Sequence, residues 1–236
     1  MAAAPAGEKI TGMDFRTLYD GFDAPLVPLD CGTRCAEHHP RGLPFCCDAC
    51  HAVPAAYLVE WDYLAAHTAM WHEYRGDECD PAHPEDPYDL LAETPEHMLL
   101  LVCQGAARCQ RPVRALSCRQ FPFYPYVNAQ GEFIGLAYEW AFEQTCWVIS
   151  HLDQVTPAYR REFIQTFDAL FAAWEHDLDS YAAYSEEART AFIEMDRRIP
   201  LLHRDGSDYL INPQNGDIQP TEARAFSRFG PYLTDK

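Results

Sequence analysis

The chain has 236 residues, of which 48% are hydrophobic, and its formal net charge is -18. This length suits one large domain or a domain with an appendage. The excess of negative charge disfavours nucleic acid and anionic membranes as partners. No apolar run reaches the roughly 18 residues that a membrane-spanning helix needs, and the first residues lack the pattern of a signal peptide. We therefore expect a cytoplasmic protein.

Residues 1–30 are interrupted by proline and glycine and are predicted to form an N-terminal arm that packs loosely on the rest. The first block of cysteines follows at residues 31–50, as Cys31-x₃-Cys35 and Cys46-Cys47-x₂-Cys50. A short turn with such spacing can present two thiolates to one ion. His38 and His39 lie in the loop between the two groups, where we expect exposed side chains.

Three helices are predicted from apolar residues that recur at steps of three and four. They cover residues 52–75, 157–178 and 185–199, with Thr156-Pro157 and Ser185 as N-terminal caps of the last two. Residues 76–96 are rich in proline and acids and are predicted to be a loop, in which Cys79 is a spare thiol.

The strands are predicted from short apolar runs and turn residues. Residues 98–102 form a buried strand, and residues 119–127 and 132–138 form a hairpin whose first arm is kept at a sheet edge by its prolines. Short strands joined by tight turns are predicted from residue 199 onward, as a small β-ribbon.

The central stretch from Cys103 to Cys118 holds three cysteines, which are separated by Arg, Gln, Gly and Pro without any helical or strand period. This pattern is typical of a loop that folds around a metal. Four arginines interleave with these thiols, at positions 108, 111, 114 and 119. Arginine beside thiolates offsets their charge and donates hydrogen bonds to sulfur, and Arg119 is predicted to contact the bound cofactor.

The ten cysteines are therefore predicted to be mainly metal ligands, since disulfides are rare in a reducing cytoplasm. Disulfides or buried thiols are the alternative. The predicted ligands are Cys31, Cys35, Cys46, Cys47, Cys50, Cys103, Cys109, Cys118 and Cys146. A zinc site or a cubane Fe–S cluster takes four ligands, so this number suits two centres, or one centre plus buried thiols. The adjacent Cys46 and Cys47 are expected to bind different metals, unless one of them is structural.

The C-x₅-C-x₈-C-R-x-F-P pattern at residues 103–122, with the upstream C-x₃-C and Cys-Cys groups and the downstream Cys146, resembles the YkgJ-type cysteine-cluster family. The resemblance covers residues 31–150 and implies a zinc- or iron-chelating domain. Its ligands would be Cys31, Cys35, Cys46, Cys47, Cys103, Cys109, Cys118 and Cys146. Cys50 and Cys79 are additional to that set. Flagellin lysine N-methylases resemble the same family and carry an Fe–S cluster, so the resemblance favours iron.

Together these observations predict an α+β protein with an irregular cysteine-rich metal-binding core, packed helices and short β-hairpins. The predicted divisions are an arm at 1–30, a metal-binding domain at 31–150, a helical extension at 151–199 and a β-ribbon tail at 200–236. The leading hypothesis is a protein with a [4Fe–4S] cluster and a redox or protein-modification role, acting on a protein or small partner. The alternatives are a structural zinc module without catalysis and an enzyme similar to lysine N-methylases.

Overall fold

A computed structural model describes residues 13–79 and 87–234, with the backbone alone for 87–89. This part of the chain combines helices with two antiparallel sheets, which confirms the predicted α+β class. Its helices are α1 (Phe15–Asp20), α2 (Cys31–Ala36), α3 (Leu58–His67), α4 (Pro87–Glu93), α5 (Leu116–Gln120), α6 (Pro157–Ala173) and α7 (Glu175–Glu194). Its strands are β1 (Ala55–Tyr57), β2 (Trp71–Glu73), β3 (Met98–Cys103), β4 (Phe123–Val127), β5 (Phe133–Tyr138), β6 (Ile199–His203), β7 (Asp208–Ile211) and β8 (Ile218–Thr221). Within the same residues, the helices are too short or too polar to cross a lipid bilayer.

The smaller sheet corrects the helix predicted over residues 52–75. Its strand order is β1-β3-β2, so the predicted strand at 98–102 lies in the middle as β3. Ala55 pairs with Leu100, and Trp71 pairs with Cys103. Only the central part of the predicted helix, α3, is helical. The two ends are extended because each satisfies its backbone groups by pairing with β3.

The larger sheet has the order β4-β5-β6-β7-β8 and is antiparallel throughout. The predicted hairpin is confirmed as β4 and β5, with β4 at the sheet edge. The strands of the tail continue this sheet rather than forming a separate ribbon. The join between β5 and β6 is close: a Cβ atom on Gly135 would lie 2.5 Å from the carbonyl oxygen of Leu202.

The long helices also differ from their predicted bounds. The Thr156-Pro157 start is confirmed, since the Thr156 hydroxyl accepts a hydrogen bond from the Tyr159 N–H at 3.1 Å. The chain then leaves helical geometry at Trp174, so α6 ends at residue 173. Ser185 lies inside α7 and is not a cap. Its hydroxyl accepts a hydrogen bond from the N–H of Val127 at 3.0 Å, which ties α7 to β4.

One hydrophobic cluster joins all the predicted divisions of the chain. Phe15 and Tyr19 on α1 and the following Phe22 are each no more than 3% exposed, so the predicted loose arm contributes side chains to the core. The predicted loop at 76–96 contains α4, and its residues 80–86 lie outside the described part of the chain. The large sheet crosses the predicted boundaries at residues 150 and 200.

Candidate metal centre

The first group of thiols is placed by α2 and by a 3-10 turn. Cys31 and Cys35 lie about one turn apart on α2 and therefore share a face. The carboxylate of Asp30 caps this helix by accepting a hydrogen bond from the Gly32 N–H at 3.0 Å. Cys46 and Cys47 lie in the 3-10 turn that spans Phe45–Cys47.

The second group surrounds the end of the small sheet. Cys103 is the last residue of β3, and Cys118 lies on α5. Between them, Gly105 has a φ of +89°, a conformation that suits glycine, and its N–H donates to the sulfur of Cys103 at 3.3 Å. Cys109 follows the next 3-10 turn. Cys146 comes later in the chain and is 6% exposed.

Eight cysteines carry free thiols in the structure, and the sulfurs of all eight lie close enough to interact electrostatically with others of the group. Their interactions fall mostly within two sets. One set is Cys31, Cys35, Cys46 and Cys146. The other is Cys47, Cys103, Cys109 and Cys118. Cys46 and Cys47 also interact across the two sets, Cys46 with Cys47 and Cys118 and Cys47 with Cys35, so they form the junction between the sets.

Two thiol pairs share a hydrogen bond. The thiol of Cys146 donates to Cys35, which lowers the pKa of Cys35 to about 7, and burial together with this bond raises the pKa of Cys146. The thiol of Cys46 likewise donates to Cys47 and lowers its pKa, while the pKa of Cys46 is raised. In each pair, one sulfur is therefore easier to ionise than the other.

Burial dominates at the remaining shifted thiols. It raises the pKa of Cys31 to about 12, and it raises the pKa of Cys103 and of Cys118. Neighbouring sulfurs add to the effect, because several negative charges cannot gather in a buried space without a cation. A metal that binds these sulfurs as thiolates supplies that positive charge and releases the protons. The donor set is therefore suited to a thiolate-bound metal.

Arg114 is the arginine that contacts a thiol. Its Nε–H donates to the sulfur of Cys109 at 2.9 Å. Burial lowers the pKa of this guanidinium, but the bond to Cys109 and the nearby Cys118 and Cys47 outweigh burial and raise it. A fixed positive charge beside the second set of thiols stabilises their anionic forms.

Arg119, which was predicted to contact the cofactor, has a different role in the structure. Its five N–H groups are directed at five backbone carbonyls. The acceptors are the carbonyls of Tyr19, Phe22, Arg111, Pro112 and Arg114. The guanidinium also stacks over the ring of Tyr19 at 4.2 Å. Arg119 thus fastens the end of α1 and the segment after it to the loop between Cys109 and Cys118.

Glu60 secures the helix that carries Cys118. This residue is fully buried on α3, and its carboxylate accepts a hydrogen bond from the N–H of Leu116, the first residue of α5, at 2.6 Å. It accepts further hydrogen bonds from the hydroxyl of Tyr19 and from the N–H of Tyr57. Burial raises the pKa of Glu60 to about 7.

Cys50 and Cys79 stand apart from the eight. They form a disulfide, with Cα atoms 5.4 Å apart. This pairing differs from the predicted roles, in which Cys50 was a metal ligand and Cys79 a spare thiol. Stable disulfides are rare in a reducing cytoplasm, and the cytoplasmic location is still a prediction.

Within the described residues, three potential ligand atoms approach within 4.8 Å of one another in a single group, formed by His39, Asp48 and His51. His39 is buried rather than exposed as predicted. Its Nε2 lies 2.9 Å from Oδ2 of Asp48, and Nδ1 of His51 lies 3.1 Å from the same oxygen. The Arg41 N–H donates to Nδ1 of His39 at 3.0 Å, which places the proton of a neutral imidazole on Nε2, facing Asp48.

The guanidinium of Arg41 also pairs with Asp48. Because Nε2 of His39 carries a proton and the carboxylate is already paired, His39, Arg41, Asp48 and His51 form a network of structural ion pairs and not a cation site. We call this network the Asp48 hub. The hub holds the chain next to the Cys46–Cys47 turn, because Oδ1 of Asp48 also accepts the Cys50 N–H at 3.0 Å.

Sequence reasoning missed this hub and missed Tyr232, whose hydroxyl hydrogen-bonds to the sulfur of Cys35. Neither has a recognisable motif, since Asp48 sits inside the cysteine block and Tyr232 lies far along the chain. Comparison with known proteins adds no identification: no family model, curated protein or solved structure matches the chain.

Proposed function

We propose that this protein binds iron–sulfur clusters through its eight free cysteines and has a redox or protein-modification role. The observation that carries the proposal is the division of the ten cysteines. Eight interact with one another, and they are the eight that the resemblance to YkgJ-type proteins implies; the other two pair with each other. When bound, such a cluster supplies one-electron chemistry.

The two sets of four thiols support two centres, each with the ligand number of a [4Fe–4S] cluster. The first would be held by Cys31, Cys35, Cys46 and Cys146, and the second by Cys47, Cys103, Cys109 and Cys118. Adjacent residues cannot easily point both side chains at one ion, so a division between Cys46 and Cys47 is also sterically reasonable.

The resemblance to flagellin lysine N-methylases, which carry an Fe–S cluster, favours iron–sulfur clusters over single zinc ions. The two kinds of centre also differ in how they space their ligands. Four sulfurs around a tetrahedral zinc lie about 3.8 Å apart, as follows from Zn–S bonds of about 2.3 Å. A cubane binds each thiolate to a different iron and so spreads its ligands more widely.

The test is iron, sulfide and zinc analysis of anaerobically purified protein, with visible absorption and electron paramagnetic resonance of the reduced form. We expect iron and acid-labile sulfide in equal amounts. A colourless protein with stoichiometric zinc and no iron would refute the iron proposal and support the zinc module instead.

Serine variants test the division into two centres. Cys46→Ser and Cys47→Ser should each remove about half of the iron, because each would disable one four-ligand centre. Cys50→Ser is the matched control from the same loop and should retain all of it. Complete loss of iron in both Cys46→Ser and Cys47→Ser would indicate one centre that uses both cysteines.

A further inference from the structure

The C-terminal segment Phe229–Tyr232 packs against the segment that carries Cys146. The N–H of Phe229 donates to the hydroxyl of Ser150 at 2.9 Å, and that hydroxyl lies 3.4 Å from the carbonyl oxygen of Phe229. Gly230 has a φ of +53°, and a Cβ atom there would lie 2.7 Å from the carbonyl oxygen of Gln144. This backbone approach is possible only for glycine.

Tyr232 is directed inward by this arrangement. It is 1% exposed, whereas the next residue, Leu233, is 66% exposed. Its ring meets the ring of His38 edge to face at 5.2 Å, so it reaches the loop between Cys35 and Cys46. The segment therefore bridges the two stretches of chain that supply the first set of thiols.

The hydroxyl of Tyr232 has two acceptors near it. It donates to the carbonyl oxygen of Thr145 at 3.1 Å, and it hydrogen-bonds to the sulfur of Cys35. A phenolic hydroxyl has one proton and can turn it toward only one of these acceptors at a time. In the structure the hydroxyl donates to Thr145, the residue before Cys146, and so anchors the segment beside that thiol.

We propose that Phe229–Tyr232 is a lid over the Cys35–Cys146 side of the thiol group, which shields these two thiols from solvent and reagents and is anchored by the hydrogen bond from the Tyr232 hydroxyl to the Thr145 carbonyl. This shielding does not depend on the proposed function.

The lid is tested first in metal-free, reduced protein, by the rate at which iodoacetamide alkylates Cys35 and Cys146, followed by peptide mass spectrometry. Gly230→Ala should raise both rates at least about fivefold, because the added methyl collides with the Gln144 carbonyl and unseats the segment. Gly216→Ala is the matched control. Gly216 also has a positive φ, of +77°, but nothing lies within 4 Å of its would-be Cβ.

If Gly230→Ala does not fold, Ser150→Ala serves the same purpose by removing the hydrogen bonds to Phe229. Equal alkylation rates in the Gly230→Ala or Ser150→Ala variant and in Gly216→Ala would overturn the lid.

The role of the hydroxyl is tested with Tyr232→Phe, which keeps the ring. In metal-free, reduced protein, alkylation of Cys35 and Cys146 should be about 2- to 10-fold faster in Tyr232→Phe than in wild type, the range of one lost hydrogen bond. The control is Tyr209→Phe, whose hydroxyl bonds only to the exposed Asp205 among the hydrogen bonds described for it.

Equal alkylation rates in Tyr232→Phe and Tyr209→Phe would refute the anchoring role of the hydroxyl. If the wild-type protein binds no metal at all, the proposed function fails, while the alkylation experiment still decides whether the lid exists.

Discussion

Replacing Arg119 with lysine should destabilise the protein even when no metal is bound. Arg119 is 8% exposed and donates to five carbonyls, whereas lysine has three donors on one atom. At least two charged hydrogen bonds are lost, each contributing about 1.5 kcal/mol or more, so the free energy of unfolding should fall by about 3 kcal/mol.

The assay is urea unfolding of metal-free, reduced protein, followed by circular dichroism. For a chain of this size, the free energy of unfolding falls by about 3 kcal/mol per molar of urea, so the urea concentration at the midpoint of unfolding should fall by about 1 M. Arg114→Lys is the control, because it contacts a thiol and not the N-terminal segment. An unchanged midpoint in Arg119→Lys, with an altered metal spectrum, would refute this reasoning and support the cofactor contact that the sequence predicted.

Glu60→Gln should remove a pH dependence of the free energy of unfolding. The pKa of Glu60 is raised from 4.5 to about 7 in the folded protein, so the protonated side chain stabilises the fold fully below pH 4.5. About 3 kcal/mol of that stabilisation is lost as the pH rises from 4.5 through 7, which urea unfolding at several pH values should show. Alkylation of unreduced, unfolded protein should leave Cys50 and Cys79 unmodified and joined in one peptide pair by mass spectrometry. Gly135→Ala should destabilise by about 1–3 kcal/mol in urea unfolding, because its methyl would meet Leu202 across the sheet.

Each of these three predictions has a result that would contradict it. Parallel pH profiles of the free energy of unfolding in wild type and Glu60→Gln would contradict the role of Glu60. Alkylation of all ten cysteines in unreduced protein would contradict the disulfide. For the third, Gly131→Ala is the control, since its Cβ meets nothing within 4 Å; equal losses in the two variants would mean that backbone conformation alone sets the effect.

The sequence predicted the elements whose signals are local. The β4–β5 hairpin and the start of α6 carry their own turn residues and cap, and both were recovered. The ends of the helix predicted at 52–75 were wrong because Tyr57 and Trp71 fit a helical stripe and a strand equally well. Only pairing with β3, some 30 to 40 residues away in the chain, decides between them.

At the candidate site, too, the outcome depends on contacts between distant parts of the chain, which the sequence does not show. Cysteine spacing identified the thiols, but it could not show that Cys50 and Cys79 pair, or that Arg114 and not Arg119 faces a sulfur. Four arginines in one stretch look alike in sequence. Their roles depend on which carbonyls and sulfurs the folded chain brings to each one.

The strand β3 pairs with β1 over Met98–Leu100 and with β2 over Leu101–Cys103, so each half of the strand has one partner. Cys103 ends the half that is paired with β2, and Cys118 sits on a helix secured by Glu60. Cys46 and Cys47 occupy an irregular turn next to the Asp48 hub. Both groups of thiols are therefore held by bonds that need no metal, so hydrogen exchange in metal-free protein should already show protected amides on β3, and an incoming cluster would meet sulfurs whose places are set in advance.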